Sequence, residues 1–253
     1  MKQIPNIFTL LNLVFGCMAI VSILQPGLIA TVDADGQNFI AVPEGMYWAS
    51  LYIGCAAVID FLDGLVARLL KVPSDMGKQL DSLADVVSFG VAPGMIVYQY
   101  LRYACAQQEG GLNESILWLL PAFIIPCAGA YRLARFNIDT TQSHGFKGVP
   151  IPAAGLLVAS FPLIYAYTDM NWLILLKANK WFWYAISIVV SYLMVSRLPM
   201  MALKFKDFSF KNNWPKFLLI LIAIIAAILL KWLAVPVVFV VYVILSLGLK
   251  QHA

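Results

Sequence analysis

Eight apolar runs follow one another along the chain, at roughly residues 5–25, 46–70, 79–101, 115–136, 150–168, 181–197, 216–232 and 233–249. Each approaches the about 20 residues a helix needs to cross the hydrocarbon core of a bilayer. Lys231 and Pro236 interrupt one long stretch to make the last two. The pattern there predicts either two spans joined by a tight turn or one kinked, partly re-entrant segment. Eight crossings place both termini on the same side. The first run carries Asn6, Thr9 and Asn12 and is followed by no A-x-A-like cleavage site. It reads as a retained span rather than a signal peptide.

Composition agrees with the runs. Of 253 residues, 62% are hydrophobic and 12% charged, whereas soluble domains hold about 45–50% apolar and about 25% charged residues. The expected fold is an all-α polytopic membrane protein. A net charge of +4 leaves no footprint for nucleic acid. The placement of the charges says more. With the N-terminus inside, only Arg102, Lys177, Lys180 and Lys231 of the 17 basic residues fall in outer segments. That asymmetry orients the chain with N- and C-termini in the cytoplasm.

The cysteines (17, 55, 105 and 127) form no C-x-x-C pair and are expected to be small buried side chains. His144 and His252 are too few for a histidine metal site. A metal in this chain would be a hard ion with oxygen ligands.

The candidate chemistry is acidic. Asp60, Asp63, Gly64, Ala67, Arg68, Gly77, Asp81 and Asp85 form the pattern D-x2-D-G-x2-A-R-x8-G-x3-D-x3-D across the second and third runs. Asp60 and Asp63 are three apart, and Asp81 and Asp85 four apart, so each pair shares a helix face. The second run travels inward and the third outward, so the two faces can meet at the cytoplasmic interface. Carboxylates near lipid persist only when something compensates them. Four converging would repel one another unless cations sat between them, and two Mg²⁺ or Mn²⁺ ions would serve. The small residues beside them let a bulky ligand approach the backbone. A divalent-cation transporter is the competing reading of the carboxylates, although it has no need of an arginine beside them.

The motif resembles the signature of the CDP-alcohol phosphotransferase family at every defined position. The resemblance implies a six-helix core, here with about two extra C-terminal helices. It would divide the chain into a catalytic membrane domain, residues 1–197, and a basic cytoplasmic loop with two further spans, residues 198–253. It implies transfer of a substituted phosphoryl group from a CDP-linked donor to an alcohol, with release of CMP. By the same resemblance Asp60, Asp63 and Asp81 hold the metals, and Asp85 is both a metal ligand and the general base. Gly64, Arg68 and Ser74 occupy positions that contact the CDP-lipid, with the small Ala67 and Gly77 of the same motif beside them. Asn6 and Thr9 resemble the family's N-terminal nucleotide-binding stretch. A homodimer in a bacterial inner membrane is likewise implied; Gly90-x3-Gly94 offers a close helix contact.

Three further segments bear on the acceptor: Ser88–Gly94, Tyr131–Asn137 with Arg132 and Arg135 on one face, and Phe146–Gly155. Together they resemble the phosphatidylserine synthase branch, which joins CDP-diacylglycerol to L-serine. Arg132, Arg135 and Asn137 would then bind the acceptor, an arginine holding the serine carboxylate. Acceptors such as glycerol 3-phosphate or inositol phosphate remain open, with Lys147 added to the two arginines as a denser basic pocket; choline is a further alternative. The loop from Arg197 to Lys216 reads as a basic inner loop.

Overall fold

A computed structural model describes residues 4–25, 29–32, 38–70, 74–107, 115–139, 146–168, 170–201 and 210–248. For Ala67 and Arg68 it describes the backbone alone. Every predicted apolar run is helical. Ile4–Leu24 (α1) and Gly45–Leu70 (α2) are linked through a short antiparallel pair, Ile29–Val32 (β1) and Asn38–Ala41 (β2). The third crossing is compound. Asp75–Asp85 (α3) passes through a π-helical turn, Val86–Val91, into Ala92–Ala106 (α4). Two 3₁₀ turns lead into Ile124–Ile138 (α5). Ile151–Tyr167 (α6) follows, then Asn171–Lys177 (α7), bent 75° from Lys180–Val195 (α8). Phe146–Lys147 (β3) pairs with Pro199–Met200 (β4). Phe210–Leu230 (α9) and Ala234–Gly248 (α10) close the chain.

Five helical stretches are long and apolar enough to cross a membrane: Pro5–Leu24, Gly45–Val66, Asp75–Ala106, Ile116–Ile138 and Asn213–Gly248. The bent α7–α8 pair makes a sixth, and α6 is apolar but shorter. The protein is an all-α polytopic membrane protein. Its third stretch is the most enclosed, with 56% of its apolar window buried against 17% for Asn213–Gly248. The compound helix therefore runs through the centre of the bundle and the C-terminal segment along its flank.

The ambiguity at Lys231 is resolved by one contact. Met201 donates its backbone N–H to Ser246 Oγ, and Tyr242 donates to the Met201 carbonyl. Nine residues of chain from Met201 reach at most ~32 Å, while a straight helix from Phe210 to Ser246 would extend about 54 Å. The chain therefore folds back between α9 and α10, which pack against each other. The reversal lies at Lys231, which has φ 51°, a left-handed conformation uncommon for a side chain with a Cβ.

Packing around the π-turn depends on missing side chains. A Cβ on Gly155 would stand 2.9 Å from the Phe89 backbone, and one on Gly16 would press into Ser88. Gly90 and Gly94 both pack on Pro126, at 3.3 and 3.0 Å from a built Cβ. The G-x3-G pair thus joins this crossing to α5 within the chain and is not a free dimer surface. At the end far from the aspartates, Tyr100 stacks on Trp183 at 4.5 Å, Tyr165 packs edge-on to Tyr100, and Lys177 lies 4.8 Å above the Tyr103 ring.

The cysteine expectation needs correction. Cys105 is buried, but Cys17, Cys55 and Cys127 are exposed on the helix surfaces. A thiol behaves as a small apolar group, and a helix surface facing lipid does not exclude one. His144, His252 and Lys204 to Lys211 lie outside the described residues, or, for Lys211, the described side chains.

Candidate active site

Four carboxylates meet between the second half of α2 and the second half of α3. Asp60, Asp63 and Asp81 each offer an oxygen, and these atoms lie within 4.8 Å of one another. Asp60 and Asp81 also lie within electrostatic range of Asp85. Asp63 and Asp85 are both 6% exposed. The helix spacing explains the convergence: each pair occupies one face, and the short connection between α2 and α3 folds the faces together. All four are hard oxygen donors, with no sulfur or nitrogen ligand among them. Such a set suits Mg²⁺ or Mn²⁺.

Helix α1 supports the cluster. Thr9 Oγ1 donates to Asp63 Oδ2 at 2.9 Å, and Asn12 Nδ2 donates to Asp85 Oδ1 at 3.3 Å. Ser88 Oγ donates to the Asn12 carbonyl at 3.0 Å, tying α1 to the π-turn one step beyond Asp85. A hydrogen bond to a ligating carboxylate fixes which oxygen faces the ion.

Several predicted lipid-binding positions also come together. Ser74 caps α3, accepting the Gly77 N–H at 3.0 Å. A Cβ on Gly77 would lie 3.0 Å from Ser74 Oγ and 3.1 Å from Asn6 Oδ1. Asn6, Ser74 and Gly77 therefore form one polar corner at the mouth of the cluster. A Cβ on Gly64 would meet nothing within 4 Å, so the α2 backbone beside Asp60 and Asp63 is open to a bulky ligand. The side chains of Ala67 and Arg68, predicted at the same place, lie outside the described residues.

The three predicted acceptor residues separate. Arg135 donates to the Val195 carbonyl at 2.8 Å and the Ser196 carbonyl at 3.0 Å, closing the C-terminal end of α8. Asn137 donates to Ser82 Oγ at 2.8 Å, and its carbonyl accepts from Lys78; this joins the ends of α5 and α3. Lys147 pairs with Asp139 at 3.0 Å. Arg132 differs from these. It is 5% exposed, its Nε has no partner among the described residues, and it lies within electrostatic range of Tyr242 on α10 and of Asp85. Ser82 is the neighbour that sequence reasoning did not single out; Asn12 and Ser88 stood in segments it named, without a role of their own at the site. For Asn12 a signal existed, since it continues the polar stripe of Asn6 and Thr9 at helical spacing.

The sequence model of the CDP-alcohol phosphatidyltransferase family matches residues 2–181, a segment holding all four aspartates, the α1 supports and Arg132. Among curated relatives, the chain is 33% identical over 165 residues to the CDP-diacylglycerol–serine O-phosphatidyltransferase of Bacillus subtilis, covering 65% of this chain and 78% of that protein. It is 38% identical over 156 residues to the protein of that name from Helicobacter pylori strain J99, covering 61% of this chain and 54% of the relative. A protein of the same name from Methanocaldococcus jannaschii is 45% identical over 111 residues, 44% of this chain and 48% of the relative. The chain thus spans about half the length of the last two. With a match across more than half its length and the acidic constellation intact within it, this chain is a transferase of the CDP-alcohol phosphatidyltransferase family.

Proposed function

We propose that the protein transfers the phosphatidyl group of CDP-diacylglycerol to the hydroxyl of L-serine, giving phosphatidylserine and CMP. The observation that carries this reading is a buried arginine, Arg132, whose Nε lacks a partner among the described residues and which lies within electrostatic range of the buried Asp85 of the acidic cluster. The names of the relatives support the same donor and acceptor.

In this reading Asp60, Asp63, Asp81 and Asp85 hold two divalent ions, Mg²⁺ or Mn²⁺. Bound there, the metals would neutralise the pyrophosphate and the departing CMP. The protein's own residues do the rest. Thr9 and Asn12 orient the carboxylates. The corner of Asn6, Ser74 and Gly77 receives the nucleotide end of the donor, with Gly64, Ala67 and Arg68 along α2. Arg132 holds the serine carboxylate. Asp85 takes the proton from the serine hydroxyl as its oxygen bonds to phosphorus. The bond from phosphorus to the bridging oxygen breaks, and CMP carries away that electron pair.

Consumption of the other basic groups supports serine over a phosphorylated acceptor. Arg135 is bound to two helix-end carbonyls and Lys147 to Asp139. Arg132 alone suits one carboxylate better than a phosphate dianion. We place the catalytic cluster at the cytoplasmic face of a bacterial inner membrane, both termini inside, because the basic residues gather at that end. Residues 1–197 carry the catalysis in this proposal. Residues 198–253 back it, with Tyr242 beside Arg132.

The test is CMP release by purified full-length protein with CDP-diacylglycerol and Mn²⁺ or Mg²⁺. L-Serine, glycerol 3-phosphate, inositol 1-phosphate and choline are offered separately. Release with serine alone is expected. Release with another acceptor instead would overturn the assignment of Arg132. No release with any acceptor, together with metal flux into vesicles, would favour a cation transporter.

A further inference from the structure

Two buried polar atoms of opposite character lack partners among the described residues: the acceptor Asn12 Oδ1, whose amide bonds Asp85, and the donor Arg132 Nε, on a side chain within electrostatic range of Asp85. Asn12 is fully buried. Its amide orientation is set by its neighbour, because only the Nδ2 end can donate to the Asp85 carboxylate, as it does at 3.3 Å. Its backbone carbonyl is already engaged by Ser88. Oδ1 therefore points away from Asp85 as a buried acceptor awaiting a donor. Native proteins seldom leave such an atom unmet, and a ligand is one reason they do.

The neighbour of Asn12 is a carboxylate, Asp85, which a buried guanidinium, Arg132, reaches electrostatically. A ligand there must offer a hydroxyl to Asp85, an anion to Arg132 and a hydrogen-bond donor to Asn12. In a site rich in carboxylates the favoured donor is an ammonium group. The geometry points to Asn12 as the residue that recognises the α-ammonium of the acceptor, so that hydroxyl, carboxylate and ammonium are each read by one side chain. This inference rests on the serine reading above and deepens it. A β-hydroxy acid without the amine would satisfy Asp85 and Arg132 but leave Oδ1 buried and unmet, and sites of this kind reject such analogues strongly.

The experiment compares kcat/KM for L-serine and for 3-hydroxypropionate, which keeps the carboxylate and hydroxyl and lacks the amine. Wild-type protein should prefer serine by at least about 100-fold. Asn12→Ala and Asn12→Ser should shrink that preference to below about tenfold, chiefly through a higher KM for serine. A loss of kcat shared by both acceptors would report only the released Asp85 and does not alter the ratio. An unchanged ratio in active variants would overturn the inference and leave Oδ1 to a buried water. Should neither variant fold, the wild-type comparison decides alone: equal use of the two acceptors overturns it. If wild-type protein releases no CMP with serine, the serine reading itself fails and this inference goes with it.

Discussion

Asp85 and Asp63 are alike in burial and differ in company. Asp85 is held by an amide from α1 and lies within electrostatic range of Arg132; Asp63 is held by Thr9 within the three-oxygen group. The roles proposed for them predict different losses. Asp85→Asn keeps the shape but cannot accept a proton, so turnover should fall about 10²–10⁴-fold while the purified protein keeps its thermal transition. Activity within a few fold of wild type would remove Asp85 from the base role. Thr9→Val keeps the volume and drops the hydrogen bond that orients Asp63. Titrating Mn²⁺ should then show a half-maximal concentration raised about tenfold or more, with kcat recovered at saturating metal. The two arginines part in the same way. Arg132→Leu should raise the KM for serine about 10–100-fold, the worth of one hydrogen bond to a charged group. Arg135→Ala should instead lower the melting temperature through loss of its bonds to the α8 end, about 1–3 kcal/mol. Equal KM effects from both would mean that the acceptor site spans the two residues.

At the scale of elements, the decisive device is the π-turn Val86–Val91 that follows Asp85 directly. Such turns interrupt α-helices mainly at functional sites. Here three neighbours approach it closely because a glycine stands on one side of each contact: Gly16 of α1 against Ser88, Gly155 of α6 against Phe89, and Gly90 of the turn itself against Pro126 of α5. Gly155→Ala would set a methyl 2.9 Å from the Phe89 backbone. Backbone cannot swing aside as a side-chain tip can, so the turn must shift. The expected cost is about 1–3 kcal/mol, read as a lower melting temperature, together with a reduced kcat because Asp85 begins the same turn. A stable variant with normal kcat would show that the turn's position does not set that of Asp85. None of this was legible in the sequence. The glycines were visible, but which backbone each one meets is a tertiary fact. The aspartate pairs were legible, because helical spacing alone puts each pair on one face and a short connection brings the faces together. Arg132 and Arg135 looked equivalent on their shared face. Only the position of the α8 end, 60 residues away in sequence, separates them.

Across the whole molecule the crossings alternate. The acidic cluster lies at one end with the start of α1, and the aromatic group around Trp183 lies at the other. The hydropathy pattern carried that alternation, since runs of spanning length leave a chain few choices in lipid. It did not carry the reversal at Lys231, because an interruption by one lysine and one proline is compatible with a kink or a turn. Met201 and Ser246 make the difference, and their contact brings the end of α10 back towards β4. Which membrane face the cluster occupies follows from charge. The basic residues concentrate at the aspartate end, so that end should be cytoplasmic. In a variant lacking native cysteines, Ser74→Cys would report the aspartate end and Ser115→Cys the opposite one; both positions are exposed. A membrane-impermeant maleimide applied to intact spheroplasts should label the Ser115→Cys protein at once. It should reach the Ser74→Cys protein only after permeabilisation. The reverse pattern would put the carboxylates on the outer face, away from cytosolic serine and nucleotide, and would remove the proposed reaction whatever the geometry of the site.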